Sequence, residues 1–313
     1  MDRFSTRLLG FLSLQLALVV GVFALRPAAN DRPYLAAWTS KYERLASLEG
    51  PRLIVTGGSD VAFGIHAQAL EHALGVPAVN MGLHGGLGMR LALEPVLPHL
   101  RPGDVVLVSL VEELFLRREA GGDLLAQLVS SAPGAAQHLR PIDWKNAADQ
   151  GHLYLGGRVK SGVFALLGLR PAASPPPYSL SSFNAWGDVV GHRSLDAPPL
   201  PRWTSGVERR QLNIDAGVAL LELFVRQAEA QGAVVAWFFP PLLEEYLDQR
   251  PHVLAQITER LWAIDGLIVL DSAEDNRHPR DDFFDTRYHL RYEAAAERTK
   301  RLIEALRASD RAN

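Results

Sequence analysis

Five short apolar runs, at residues 53–56, 76–79, 105–110, 234–239 and 267–270, constrain this chain more than any other feature. Four of them are followed directly by a turn-forming or polar residue, and 105–110 by Val111 and then Glu112-Glu113. Runs of four to six apolar, partly β-branched residues bounded in this way read as buried strands. The intervening segments carry helical spacing: Trp38, Tyr42 and Leu45 within 32–48, Ile65, Leu70, Ala73 and Leu74 within 65–74, and Leu212, Val218, Leu221 and Val225 within 207–231. Further helices are expected at 89–100, 242–264 and 292–307. Strands that alternate with helices at short spacing pair in parallel, so the expected fold is α/β with a doubly wound, mostly parallel five-stranded sheet. The pattern weakens over about 119–206, where helical pieces near 124–129 and 159–167 lead into the proline-rich stretches 171–177 and 196–201. This is expected to be an irregular insertion, part of it capping one edge of the sheet.

A chain of 313 residues, 48% hydrophobic and 21% charged, can bury a full core. A formal net charge of -3 offers no basic field for nucleic acid, and the absence of cysteine excludes disulfides, thiolate metal sites and a cysteine nucleophile. Residues 8–25 are uncharged, preceded by Arg3 and Arg7 and followed by Arg26 and Pro27. Such a run extends ~27 Å as a helix, about the thickness of a bilayer's hydrocarbon core. It is longer than the usual secretory core, and Ala28-Ala29 after Pro27 makes a poor cleavage site. The expected organisation is a transmembrane anchor over 1–30 and an α/β domain over 31–313. The two arginines favour the cytoplasmic side, which puts the body in the periplasm or cell exterior, held at the inner membrane.

The strand at 53–56 runs into Gly57-Gly58-Ser59-Asp60 and then a helical segment. A small polar side chain in such a junction lies at the carboxyl end of a parallel strand, where open α/β sheets place their ligands. Ser59 has two readings, a nucleophile or a cap of the following helix. A serine nucleophile needs a base, and a histidine base needs a carboxylate to fix its tautomer. Asp285 and His289, in the loop before the last helix, can supply both. Metal binding by Asp281, Asp282, Asp285 and His289 is the competing reading of that loop. The glycines of 82–88 miss the dinucleotide-binding spacing and follow the second strand instead of the first, so no cofactor is expected. His84 among them either touches substrate or is merely solvated. Glu112 and Glu113 lie just past the third strand, and Glu112 reads as a substrate contact, a second acid or a helix cap. Trp186 and Asp188, in the knot 183–188, either bind sugar or staple the insertion.

The order Ser59 after strand one, Asn80-x-Gly82 after strand two, and Asp285 with His289-Leu290 before the final helix resembles the SGNH/GDSL hydrolases. It is most similar to their membrane-anchored branch of periplasmic alginate-type O-acetyltransferases. The resemblance covers roughly 53–307 and implies a flavodoxin-like, SGNH-type domain. It implies Ser59 as nucleophile, His289 as base, Asp285 as its orienter and the amides of Ser59 and Gly82 as oxyanion donors. Asn80, His84, Glu113, Trp186 and Asp188 are the expected substrate-binding residues, without a metal. The implied activity is an esterase or O-acyltransferase working on an acylated cell-surface or exported polysaccharide, with a multi-span acyl-transfer protein as possible partner; the alternative is a carbohydrate-binding or assembly protein of weak or no activity. Three departures stand out: Gly57-Gly58-Ser59 replaces Gly-Asp-Ser, Asp285-x-x-x-His289 has one extra residue, and Leu110-Val111-Glu112-Glu113 stands where a Gly-x-Asn-Asp block is expected.

Overall fold

The computed structural model describes residues 3–24, 33–116, 119–152, 154, 156, 157, 159, 160, 176–200, 213–249 and 251–312. Its strands are β1 (Leu53–Gly57), β2 (Ala78–Asn80), β3 (Val105–Ser109), β4 (Val234–Trp237), β5 (Leu242–Leu243), β6 (Leu267–Val269) and β7 (Arg277–His278). Five of them form one sheet in the order β2-β1-β3-β4-β6, every pair parallel, while β5 and β7 form a small parallel pair. This is the α/β architecture expected from the apolar runs.

Side-chain alternation explains why the runs are mostly apolar on both faces. Ile54, Val106, Val108, Val235 and Trp237 join the core on one face, under the helices Ala37–Ser47, Gly88–Leu93, Asp215–Glu229 and Pro251–Trp262. Leu53, Val55, Leu107, Ala236 and Phe238 join the core on the other, with Leu70 from Ala67–Leu74 and Leu302 and Ile303 from Tyr292–Ala312. Both faces are covered, as parallel sheets require.

Several helices differ from expectation for local reasons, among them 89–100, which is α-helical only over Gly88–Leu93 and tightens to a 3-10 turn over Glu94–His99, where Pro95 and Pro98 interrupt the α-helical bonding. The segment after β1 divides into Ser59–Gly64 and Ala67–Leu74, because Ile65 and His66 are extended. The second of these stops at Gly75, whose φ of 69° is the left-handed geometry that glycine tolerates. Residues 242–264 are not one helix: Leu242–Leu243 pairs with Arg277–His278 as a strand, and Pro251 opens a separate helix, since proline suits a first turn and not an interior. In the insertion, Gly122–Ser131 is helical as expected, and Pro141–Gln150 adds a helix that periodicity did not reveal. Most of 159–167 lies outside the described residues.

The apolar amino-terminal run is helical over Arg3–Ala24, with Phe4, Phe11, Leu14 and Leu18 exposed. Among the described residues no helix is long and apolar enough to cross a membrane; residue 25 and the linker 26–32 lie outside them.

Candidate active site

The strand order turns back at β1, which lies between β2 and β3, and the crevice at the carboxyl ends of such strands is where open sheets bind ligands. β1 and β3 approach closely there. A side chain on Gly57 would collide with the Ser109 carbonyl and with Val61. Gly58 occupies the cap position of the short helix and no side chain caps it, so Ser59 is the first helical residue, half-exposed at the crevice. The capping reading of Ser59 therefore fails. No hydrogen bond joins its hydroxyl to a described residue.

Asp285 and His289 come together in a tight turn. The Phe284 amide donates to the His289 carbonyl at 2.8 Å, Phe283 bridges to Leu290, and the Thr286 hydroxyl accepts the Tyr288 and His289 amides at 3.2 and 3.1 Å. This closure puts Asp285 Oδ1 2.8 Å from His289 Nδ1. The contact leaves Nε2 as the ring nitrogen available to a hydroxyl. The imidazole lies flat on Phe63, ring centroids 4.1 Å apart and planes 5° apart. Phe63 follows Ser59 by one helical turn, so the stack brings the His289 imidazole to the helix that begins with Ser59. The Tyr178 hydroxyl, from the insertion, donates to Asp285 Oδ2. Burial pushes the Asp285 carboxyl up, but the bonds and charge of His289 and the Tyr178 hydroxyl more than offset it and hold it below the usual range.

Glu112 and Glu113 act on this turn. Glu113 accepts from both Arg287 and the Tyr288 hydroxyl, and Glu112 Oε1 accepts from Tyr288 at 3.2 Å. Arg287 also covers the Tyr246 ring, 3.9 Å from its centroid. The segment after β3 thus clamps the turn that carries Asp285 and His289, with the Glu113 carboxylate bonded to Arg287 and Tyr288.

Other expected site residues lie deeper. Asn80, fully buried, donates to the Val61 and Ile65 carbonyls and to Asp188 Oδ1, while its Oδ1 accepts the Gly82 amide at 3.0 Å. Asp188, also fully buried, accepts from the Ala67 and Gln68 amides and from Asn184. These two side chains are an internal brace, so substrate binding by either is corrected. Gly82 packs 2.6 Å, at a notional Cβ, from the Val61 side chain, and with its amide already donated it is not a free oxyanion donor. Trp186 packs on the β2 side with Arg44 over its ring, and its carbonyl accepts the Asn80 amide. Lys41, buried, reinforces this junction by donating to the Asn80 and Gly187 carbonyls at 2.7 and 2.5 Å; burial lowers it to about 7. The knot 183–188 staples the insertion to β2. The exposed His84 caps a local turn, its Nδ1 accepting the Gly86 amide at 2.9 Å.

Sequence reading missed four residues that the fold brings to this edge. Phe63 and Tyr178 frame His289. Beneath Ser59, the buried Asp60 accepts from Ser109, whose hydroxyl accepts from the buried Arg298 guanidinium. Burial pushes Asp60 up to about 6 against the lowering influence of Arg298 and Ser109. Neither Asp60 nor Arg298 belongs to a recognisable motif; only their placement reveals them.

The acidic run of the late loop divides between two histidines. Asp282 Oδ2 lies 2.8 Å from His278 Nδ1, and Asp285 serves His289. Among the described residues no group of three or more metal-ligating side chains could hold a metal ion. The chain matches no family model, no curated protein and no solved structure.

Proposed function

We propose that the chain is an extracytoplasmic serine esterase or O-acyltransferase that acts on an acylated cell-surface or exported polysaccharide. One observation carries the reading: a carboxylate-oriented imidazole, Asp285–His289, stacked on Phe63 one turn from Ser59 at the switch point of the sheet. In the reaction, Ser59 Oγ attacks the ester carbonyl while His289 Nε2 takes its proton, and Asp285 stabilises the imidazolium through Nδ1–H. The tetrahedral intermediate expels the alcohol, which takes the proton back from His289. The acyl-Ser59 ester then passes its acyl group to water or to a sugar hydroxyl by the same steps in reverse. Contacts between nucleophile and base commonly tighten only when substrate binds.

The oxyanion has fewer donors than such chemistry usually recruits. The Ser59 amide remains, but the Gly82 amide is donated to Asn80, and Glu112 and Glu113 occupy the segment where an amide side chain was expected. Each missing donor costs ~10²–10³ in rate. Small aryl esters should therefore be hydrolysed slowly, and Ser59→Ala should abolish what is measured; equal rates in wild type and Ser59→Ala would sink the reading. The same shortage favours the second reading, a carbohydrate-binding or assembly protein, which predicts glycan retention unaffected by Ser59→Ala.

The apolar run 8–25 and the flanking Arg3 and Arg7 support a body anchored at the inner membrane and facing the periplasm or cell exterior, where a multi-span acyl-transfer partner can reach it. Reporter fusions after Asn30 should be active only outside the cytoplasm. Activity confined to the cytoplasm refutes that placement.

A further inference from the structure

We infer that Tyr178 is a positioning residue of this site, which couples the seating of the insertion to the readiness of the Asp285–His289 pair. The inference rests on the reading of that pair as orienter and base. Asp285 has two carboxylate oxygens with different duties. Oδ1 faces His289 Nδ1 at 2.8 Å, and Oδ2 accepts from the Tyr178 hydroxyl, which also lies 3.4 Å from His289 Nδ1. A carboxylate held at both oxygens cannot rotate away from the imidazole, so the tautomer that leaves Nε2 free to accept a proton is maintained.

Tyr178 belongs to a different part of the chain from the pair it holds. Its ring packs against Phe63 and Tyr34, with centroids 6.1 and 6.0 Å away, and the next residue, Ser179, bridges to Pro33. Tyr34 in turn packs on Phe63 and Phe183 and donates its hydroxyl to the Leu83 carbonyl at 2.8 Å. The amino-terminal segment and the insertion therefore meet at the residue that completes the pair. Tyr178 is itself 36% exposed, at the rim of the crevice.

Among the described residues, four groups face Asp285. His289 comes from its own turn, Tyr178 and His192 from the insertion, and Tyr34 from the amino-terminal segment. Of these, the Tyr178 hydroxyl donates to the carboxylate without itself taking part in proton transfer. Removing it raises the proton affinity of Asp285. Tyr178→Phe keeps the ring contacts, so folding is checked by an unchanged melting profile.

The test follows the side-chain carboxyl carbon of Asp285 by NMR titration in wild type, Tyr178→Phe and His289→Ala, together with the pH profile of Ser59 modification by an aryl phosphonate. The expected result is a higher Asp285 midpoint in Tyr178→Phe, an acid limb of modification displaced in the same direction, and a rate at the optimum lower by about tenfold, the factor for one charge-assisted hydrogen bond. An unchanged midpoint in Tyr178→Phe, with His289→Ala still raising it, overturns the inference and leaves the pair standing. A midpoint indifferent to both substitutions overturns the pair and the inference with it. A midpoint that rises in Tyr178→Phe although Ser59 is never modified supports the positioning role and removes the esterase reading instead.

Discussion

The two ends of the sheet each bury an arginine and an aspartate, and they treat them differently. At the amino end, Arg52 and Asp104 are fully buried and fully used. The Arg52 amide and Nε donate to Asp104 Oδ1 at 3.0 and 3.1 Å, Nη2 meets Oδ2 at 2.5 Å, and the remaining guanidinium donors reach the Leu45 and His99 carbonyls. Asp104 Oδ2 also accepts the Arg101 amide. At the carboxyl end, Arg298 donates to the Gly64 and Phe239 carbonyls and to Asn276 and Ser109, and reaches Asp60 only through the Ser109 hydroxyl. Among the described residues no other side chain or backbone group bonds the buried Asp60 Oδ1. Burial lowers Arg298 to about 10 and raises Asp60 to about 6. One end is closed electrostatically. The other holds a buried acid, raised by its burial, under Ser59; perturbed acids of this kind cluster at functional sites, though structural networks produce them too.

The largest effect expected from breaking this contrast is at the amino end. Asp104→Ala leaves the Arg52 charge buried without its partner and should cost about 3–5 kcal/mol, read from denaturant midpoints. A loss below ~1 kcal/mol would mean that the pair is not the lock it resembles.

Asp60→Asn should behave in the opposite sense. The folded carboxyl titrates near 6, above the ordinary aspartate value, so the charged form penalises the fold and the penalty grows as pH rises from about 4 through 6. Below pH 4 variant and wild type should be equally stable, and above pH 6 the variant should be the more stable, by up to roughly 3 kcal/mol. A stability difference that does not change across this interval contradicts the assignment.

The strands were legible because parallel strands buried on both faces are mostly apolar at successive positions, as Ile54 and Val55 show by pointing into opposite cores. The Asp285–His289 pair was legible because its geometry is local, four residues closed by Thr286. Tyr178 was not, since it lies in a proline-rich stretch without periodicity and gains its role from a residue 107 positions away. Asn80 and Asp188 misled for the reverse reason. Their types suit substrate binding, and only burial reveals that every polar atom of Asn80 is turned inward. Glu113 was correctly placed at the strand end, but its partners Arg287 and Tyr288 come from a turn whose fold the sequence does not announce.

On the proposed function, Ser59, His289 and Asp285 work together at the carboxyl end of the sheet. The most direct measurement is mass-spectrometric location and timing of modification by an aryl phosphonate. Ser59 should be the residue modified, about 10²–10⁴-fold more slowly in His289→Ala, the usual contribution of a general base, and more slowly also in Asp285→Asn. Modification scattered over other serines, or an unchanged rate at Ser59 in His289→Ala, would contradict it.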